Sequence, residues 1–211
     1  MTINQKIERM LEESPNRKKL EKMVRLYQPL LLNIEEIMTE KSQLIIGIDG
    51  HCTSGKTTLA ELIHGFFESN IFHMDDFYKS HTQSNSSFEH ASNIDFERLQ
   101  SVVIVPLVNN QEIDYQAFDC KTQSLQPIIH KSNKSINIIE GSYAMHPQIS
   151  YIYDLKIFLK SSYLQQIRRV YRRNGFQELK MFIRKWIPNE RKYFKHFHIE
   201  KLSRYVFKSL H

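Results

Sequence analysis

Residues 50–57 read Gly50-His51-Cys52-Thr53-Ser54-Gly55-Lys56-Thr57, the G-x-x-x-x-G-K-[ST] spacing of a phosphate-binding loop, or P-loop. Such a loop must press backbone N–H groups against anionic oxygens. Glycine permits that approach and the positive φ it requires. The chain has six glycines in 211 residues and places three of them at Gly47, Gly50 and Gly55. The spacing predicts that the stretch from Gly50 to Thr58 cradles phosphates, that Lys56 reaches the β/γ-phosphates, and that Thr57 offers its hydroxyl to Mg²⁺.

An acceptor for a transferred phosphoryl group needs other residues. Met74-Asp75-Asp76-Phe77-Tyr78 follows the apolar run Ile71-Phe72-His73. A carboxylate at a strand end can accept the proton of an attacking hydroxyl. Asp75, nearest the strand, is the expected base, and Asp76 is expected to orient Mg²⁺ through water. A helix-capping or surface acidic pair is the plainer alternative. Ile136-Asn137-Ile138-Ile139 ends in Glu140, which is expected to hold Mg²⁺ directly or through water. Arg168, Arg169, Arg172 and Arg173 form two i,i+4 stripes, with Leu164, Ile167, Val170 and Tyr171 expected on the packed face. Guanidinium forks match phosphate oxygens; a solvated basic face is the alternative. His51 and His73 lie near these groups and are expected to be structural. His196 and His198 have no metal-ligand spacing.

These side chains need a scaffold of alternating strands and helices. Gln43–Ile48 reads as a buried parallel strand before the loop, and Thr57–Ile63 as the helix after it. Ile71–Met74, Ile136–Ile139 and Leu155–Leu159 read as further strands, with Arg204–Phe207 as a last one. Together they predict an α/β fold with a mostly parallel sheet. Residues 1–40 read as two helices divided at Ser14-Pro15. In the longer one, Leu20, Met23, Val24, Tyr27, Leu30, Leu31 and Ile34 keep helical spacing. That stripe is expected to pack on the domain, a dimer surface being the less favoured use. Asp95–Val108 fits either a strand through Val102–Val105 or a helix capped by Asp95, and the helix is preferred. Ile113–Ala117 and Ser124–Ile129 suggest a β-hairpin. Three helical stretches are expected at Ser162–Arg173, Gln177–Trp186 and from Asn189 onward. The Ser80–Asn93 stretch, rich in Ser, His and Asn, is expected to be a substrate-side lid or flap.

Hydrophobic residues make up 41% of the chain, enough for one core. No run approaches the roughly 20 apolar residues of a membrane span. Met1-Thr2-Ile3-Asn4-Gln5-Lys6 carries no apolar signal region, and Cys52 and Cys120 make no metal spacing. A reduced, cytoplasmic protein is expected. Residues 160–195 hold eleven Lys/Arg against Glu178 and Glu190, so the net charge of +6 is concentrated there. A polyphosphate ligand is the favoured use of that segment over nucleic acid.

Taken together, these elements resemble the uridine kinase family of P-loop small-molecule kinases, grouped with phosphoribulokinase and one type of pantothenate kinase. The resemblance covers roughly residues 43–200. It rests on Gly47-Ile48-Asp49-Gly50 with Gly55-Lys56-Thr57-Thr58, Asp75-Asp76-Phe77-Tyr78, Asn93-Ile94-Asp95, Glu140-Gly141-Ser142-Tyr143 with His146-Pro147, and Arg168-Arg169 with Arg172-Arg173-Asn174-Gly175. The tail Trp186–Glu190 with Tyr193-Phe194 looks like a bacterial uridine kinase-like branch. The resemblance implies a P-loop domain over 43–211 with about five parallel strands, an N-terminal helical extension over 1–42, and an arginine lid helix. It implies ATP and Mg²⁺, Asp75 as base, and Asp95 holding sugar hydroxyls. Tyr78, Phe118 and Arg168 belong to the implied acceptor side, and Arg169 and Arg173 match the lid arginines best. The family's N-F-D-H-P is Asn93-Ile94-Asp95-Phe96-Glu97 here, and Phe118 replaces a base-contacting tyrosine. The implied activity is phosphorylation of a small metabolite's hydroxyl, a nucleoside such as uridine or cytidine first. A pantothenate-like or sugar alcohol comes second, and a nucleotide-binding regulatory or nucleic-acid module is the rival of another class. No membrane partner is expected, and self-association is left open.

Overall fold

The computed structural model of the chain describes residues 2–80, 91 and 93–210. Most of the expected Ser80–Asn93 lid or flap lies outside the described residues. Helices α1 (Ile3–Glu13) and α2 (Arg17–Glu40) lead into β1 (Leu44–Gly50), α3 (Lys56–Phe66) and β2 (Ser69–His73). A 3₁₀ turn spans Met74–Phe77. Helices α4 (Phe96–Leu99) and α5 (Val105–Val108) are joined by a π turn over Gln100–Ile104. Short strands β3 (Ile113–Tyr115), β4 (Phe118–Asp119), β5 (Ser124–Leu125) and β6 (Ile129–Lys131) precede β7 (Ile136–Glu140) and β8 (Leu155–Lys160). Then come α6 (Tyr163–Met181), a π turn over Phe182–Trp186, α7 (Ile187–His196), α8 (Ile199–Leu202) and β9 (Tyr205–Lys208).

Five of these strands form one parallel sheet in the order β2-β7-β1-β8-β9. All seven residues of β1 are buried, as befits a central strand covered on both faces. Alternation divides its side chains. Leu44, Ile46 and Ile48 enter one apolar cluster, while Ile45 enters the other. In the first cluster Met23, Val24, Tyr27, Leu30, Leu31 and Ile34 of α2 meet Leu59 and Ile63 of α3, so the amphipathic stripe lies on the sheet. The second cluster gathers Phe72, Phe77, Leu99, Val103, Leu107, Phe158 and Tyr193 on the opposite face.

The Asp95–Val108 segment is helical, with Leu99, Val103 and Leu107 buried at four-residue spacing and Asp95 accepting from the Arg98 N–H as N-cap. The hairpin is nested rather than simple. Phe118–Asp119 pairs with Ser124–Leu125, and Ile113–Tyr115 pairs further out with Ile129–Lys131. Helix α6 differs most from expectation. Leu164 is 77% exposed and Tyr171 54% exposed, whereas Gln166 and Val170 are buried. The packed face is turned because Val170 joins Cys52, Leu179 and Ile187 in a small cluster beside the P-loop. The expected break survives at Gly175, whose φ of 79° and ψ of −178° interrupt the helical path.

Leu31 is fully buried between α2 and the sheet. Leu31→Ala should therefore cost about 2–5 kcal/mol of unfolding free energy, the usual range for a core leucine. Urea unfolding measures it, and a cost below about 1 kcal/mol would show α2 to be a loosely held appendage.

Candidate active site

The carboxyl ends of β1, β7 and β2 lie side by side, with Ile48 opposite Glu140 and His73 opposite Glu140 in the sheet register. Open α/β sheets bind ligands beyond this edge. The P-loop leaves β1 at Gly50, whose φ is +145°. A Cβ there would lie 2.3 Å from the Leu159 carbonyl oxygen, so glycine is required by both conformation and space. Gly55, at φ +99°, starts α3 from a left-handed residue. The first N–H groups of a helix have no intrahelical acceptor, which makes this turn an anion site.

Lys56 folds back on its own loop, donating to the carbonyls of Gly50 (2.8 Å) and His51 (3.1 Å). The hydroxyls of Thr53 and Ser54 are buried and have no hydrogen-bond partner among the described residues. Orphaned donors inside an anion-binding loop are what a phosphate oxygen would satisfy. Cys52 is buried and free, and burial pushes its thiol up to about 12, so it is an inert packing group. The His51 ring is wedged edge-on against Phe158 and Phe194, and its Nδ1 accepts from the Ser161 N–H at 3.0 Å. The ring is thus held by packing, while its backbone belongs to the loop.

Thr57 donates its hydroxyl to Glu140 Oε1 at 2.8 Å, and His73 Nδ1 lies 2.7 Å from the same oxygen. His73 stands against the Glu140 carboxylate, and its pKa is raised chiefly by that hydrogen bond. Asp75 is solvent-exposed yet ringed by protein atoms. Its carboxyl is raised first by that loss of water; Lys56 opposes the shift, Glu140 and Asp76 add to it, and the Tyr78 hydroxyl donates to it. Asp76 is held by the Tyr115 hydroxyl on its carboxylate and by Arg98 on its carbonyl. Arg98 also sits 3.8 Å from Asp95 and lies over the Phe77 ring. Strand β4, which carries Phe118, packs beside the Met74–Phe77 turn.

Oxygen donors converge at Thr57 and Glu140, which suits a hard cation. Among the described residues no group of three or more His, Cys, Asp or Glu could hold a metal by itself. Mg²⁺ fits this arrangement, because it takes one or two protein oxygens and completes its shell with phosphate and water.

The arginines do not act as one set. Arg168, Arg172 and Arg173 are exposed. Arg169 is tied down, donating to the Thr53 carbonyl at 2.8 Å, the Ser209 hydroxyl and the Leu210 carbonyl. Among the described residues Arg173 donates to its neighbour Asn174 at 2.7 Å and acts electrostatically on the Cys52 thiol.

The fold and this edge define a P-loop phosphate-binding protein of the α/β class. The Phosphoribulokinase / Uridine kinase family profile matches residues 45–175, and the chain belongs to that family. It is 27% identical over 134 residues to uridine-cytidine kinase D of Dictyostelium discoideum, covering 58% of this chain and 25% of that protein. It is 24% identical over 171 residues to nicotinamide riboside kinase of Saccharomyces cerevisiae, covering 69% and 71%. The chain thus spans about a quarter of the Dictyostelium relative. A structure described as a possible uridine kinase from Bacillus stearothermophilus superposes with a TM-score of 0.70 at 21% identity, covering 88% of this chain and 99% of that one. No helix among the described residues is long and apolar enough to cross a membrane.

Burial, then the charges of Lys56, Arg191 and Lys160, lowers the His51 pKa to about 4. In the unfolded chain it would titrate near 6.5. The unfolded state therefore binds the extra proton first, and stability should fall as pH drops from about 6.5 to about 4, by at most about 3 kcal/mol. His51→Asn keeps an acceptor for the Ser161 N–H and should flatten that part of the curve. Parallel pH-stability curves for variant and parent would refute the assignment.

Proposed function

We propose that the chain is an ATP-dependent kinase that transfers the γ-phosphoryl group to a hydroxyl of a small riboside. The observation that carries this is the convergence at one sheet edge of the P-loop, the Thr57–Glu140 pair and Asp75. ATP phosphates lie in the loop of residues 50–58, on the amides around the start of α3, with Lys56 turned from its own carbonyls toward the β/γ-phosphates. Thr57 and Glu140 would hold Mg²⁺, with Asp76 reaching it through water, and the ion would supply positive charge against the phosphates. Asp75 takes the proton of the attacking hydroxyl, and its raised proton affinity suits a base. Asp95, steadied by Arg98, holds neighbouring hydroxyls of the acceptor, with Tyr78 and Phe118 beside it.

Relatives named for uridine, cytidine and nicotinamide riboside all point to a ribosyl acceptor while differing in the base. A riboside is therefore favoured over a pantothenate-like or sugar alcohol. ADP release measured across ribosides and non-riboside alcohols decides between them, and turnover confined to the second group would overturn the assignment.

Lys56→Ala removes a cation placed against the transferred phosphoryl and should lower the rate by about 10²–10³. Asp75→Asn should lower kcat by about 10²–10⁴ with ATP binding kept, and Asp76→Asn should do less. Steady-state kinetics and nucleotide titration check both; the reverse ranking would move the base to Asp76. We assign Arg169 a holding role and Arg173 the lid. Arg173→Ala should therefore lose kcat at an unchanged melting temperature, while Arg169→Ala should lose melting temperature. Normal kcat in Arg173→Ala would leave the lid without its arginine.

A further inference from the structure

Two buried carboxylates that the chemistry does not use lie behind the phosphate loop. Asp49 is 0% exposed and Glu190 is 3% exposed. A buried charge is costly unless its oxygens are well bonded, and here each carboxylate is bonded in the same way. Asp49 Oδ1 accepts from the Gly50 N–H at 2.7 Å, and its Oδ2 accepts from the Met145 N–H at 3.0 Å and the Tyr193 hydroxyl at 2.8 Å. Glu190 Oε2 accepts from the Cys52 N–H at 3.0 Å, and its Oε1 accepts from the Ser142 hydroxyl at 2.7 Å. One oxygen of each thus grips the P-loop, and the other grips the turn that follows Glu140.

Glu190 and Tyr193 stand one turn apart on α7, so a single helix face reaches both bridges. The Cys52 amide, committed to Glu190, points away from the anion cradle. That leaves phosphate to the amides around the start of α3.

We propose that Glu190 is a positioning residue for the nucleotide: it clamps the P-loop at Cys52 to the Ser142 turn and so fixes the spacing between the phosphate cradle and Glu140. This rests on the P-loop being the ATP site. The role is geometric, so a neutral acceptor of the same shape should serve. Glu190→Gln keeps a carbonyl oxygen for the Cys52 N–H and presents an N–H to the Ser142 oxygen, which can accept as well as donate. Glu190→Ala supplies neither.

The test pairs residue-resolved amide hydrogen exchange on the ligand-free protein with steady-state kinetics and melting temperature, for Glu190→Ala, Glu190→Gln and Ser142→Ala. In Glu190→Ala the Cys52 amide should exchange at least about tenfold faster while Ile46 in β1 keeps its protection, as loss of one charge-assisted bond implies. KM for ATP should rise about tenfold or more, and more than KM for the acceptor. Glu190→Gln should restore both to within about threefold of the parent, and Ser142→Ala should raise KM for ATP by less than Glu190→Ala does. A folded Glu190→Ala with unchanged Cys52 exchange or unchanged KM for ATP overturns the proposal. So does a Glu190→Gln as impaired as the alanine. Should Glu190→Ala fail to fold, Glu190→Gln and Ser142→Ala decide: a parent-like glutamine beside a raised KM for ATP in Ser142→Ala supports the clamp, and any other pairing refutes it. The exchange measurement needs no turnover, so it separates failure of the clamp from failure of the kinase assignment, which Lys56→Ala tests alone.

Discussion

The unpaired amides at the first turn of α3 are the constraint on which the rest of the site depends. They exist because a helix begins at Lys56 directly after a left-handed Gly55. They open at the sheet's carboxyl edge because β1 delivers the loop there. Everything nearby answers to that arrangement. Glycine is required at position 50 because the Leu159 carbonyl leaves no room for a Cβ. Lys56 donates to the loop's own carbonyls. The Glu140 carboxylate comes within hydrogen-bond distance of Thr57 because β7 is paired with β1 in parallel register, placing Ile48 opposite Glu140.

The sheet and the phosphate half of the site were legible in the sequence because each depends on local patterns. Loop spacing identifies residues 50–57, and an apolar run ending in a carboxylate identifies Glu140. The α2 stripe was legible for the same reason: seven apolar residues at helical spacing need a surface, and the sheet supplies it. What was not legible depends on distant partners. Arg169 reads as a lid residue until the chain returns forty residues later and offers the Ser209 hydroxyl and the Leu210 carbonyl. Leu164 and Tyr171 have the periodicity of a packed face, yet the face that packs is set by Cys52 and Ile187. His73 needed strand pairing before its neighbour could be known to be Glu140. One local signal was available for Glu190: it is one of only two acids in a strongly basic segment.

The charges at this edge explain how so many ionisable groups coexist. Asp75, Asp76 and Glu140 gather on one side, and their mutual repulsion helps raise the Asp75 carboxyl. Lys56 is the common counter-charge, acting on Asp75, Asp49 and Glu190 alike. A lysine that offsets three carboxylates also helps make the burial of the two behind the loop tolerable. In the proposed ATP complex its ammonium turns to the phosphates, and the carboxylates behind the loop then rely on their hydrogen bonds from Gly50, Cys52, Ser142, Met145 and Tyr193. Those bonds run to both the P-loop and the turn after Glu140. The groups that keep two buried acids stable are therefore the same groups that keep the two halves of the phosphate site in register.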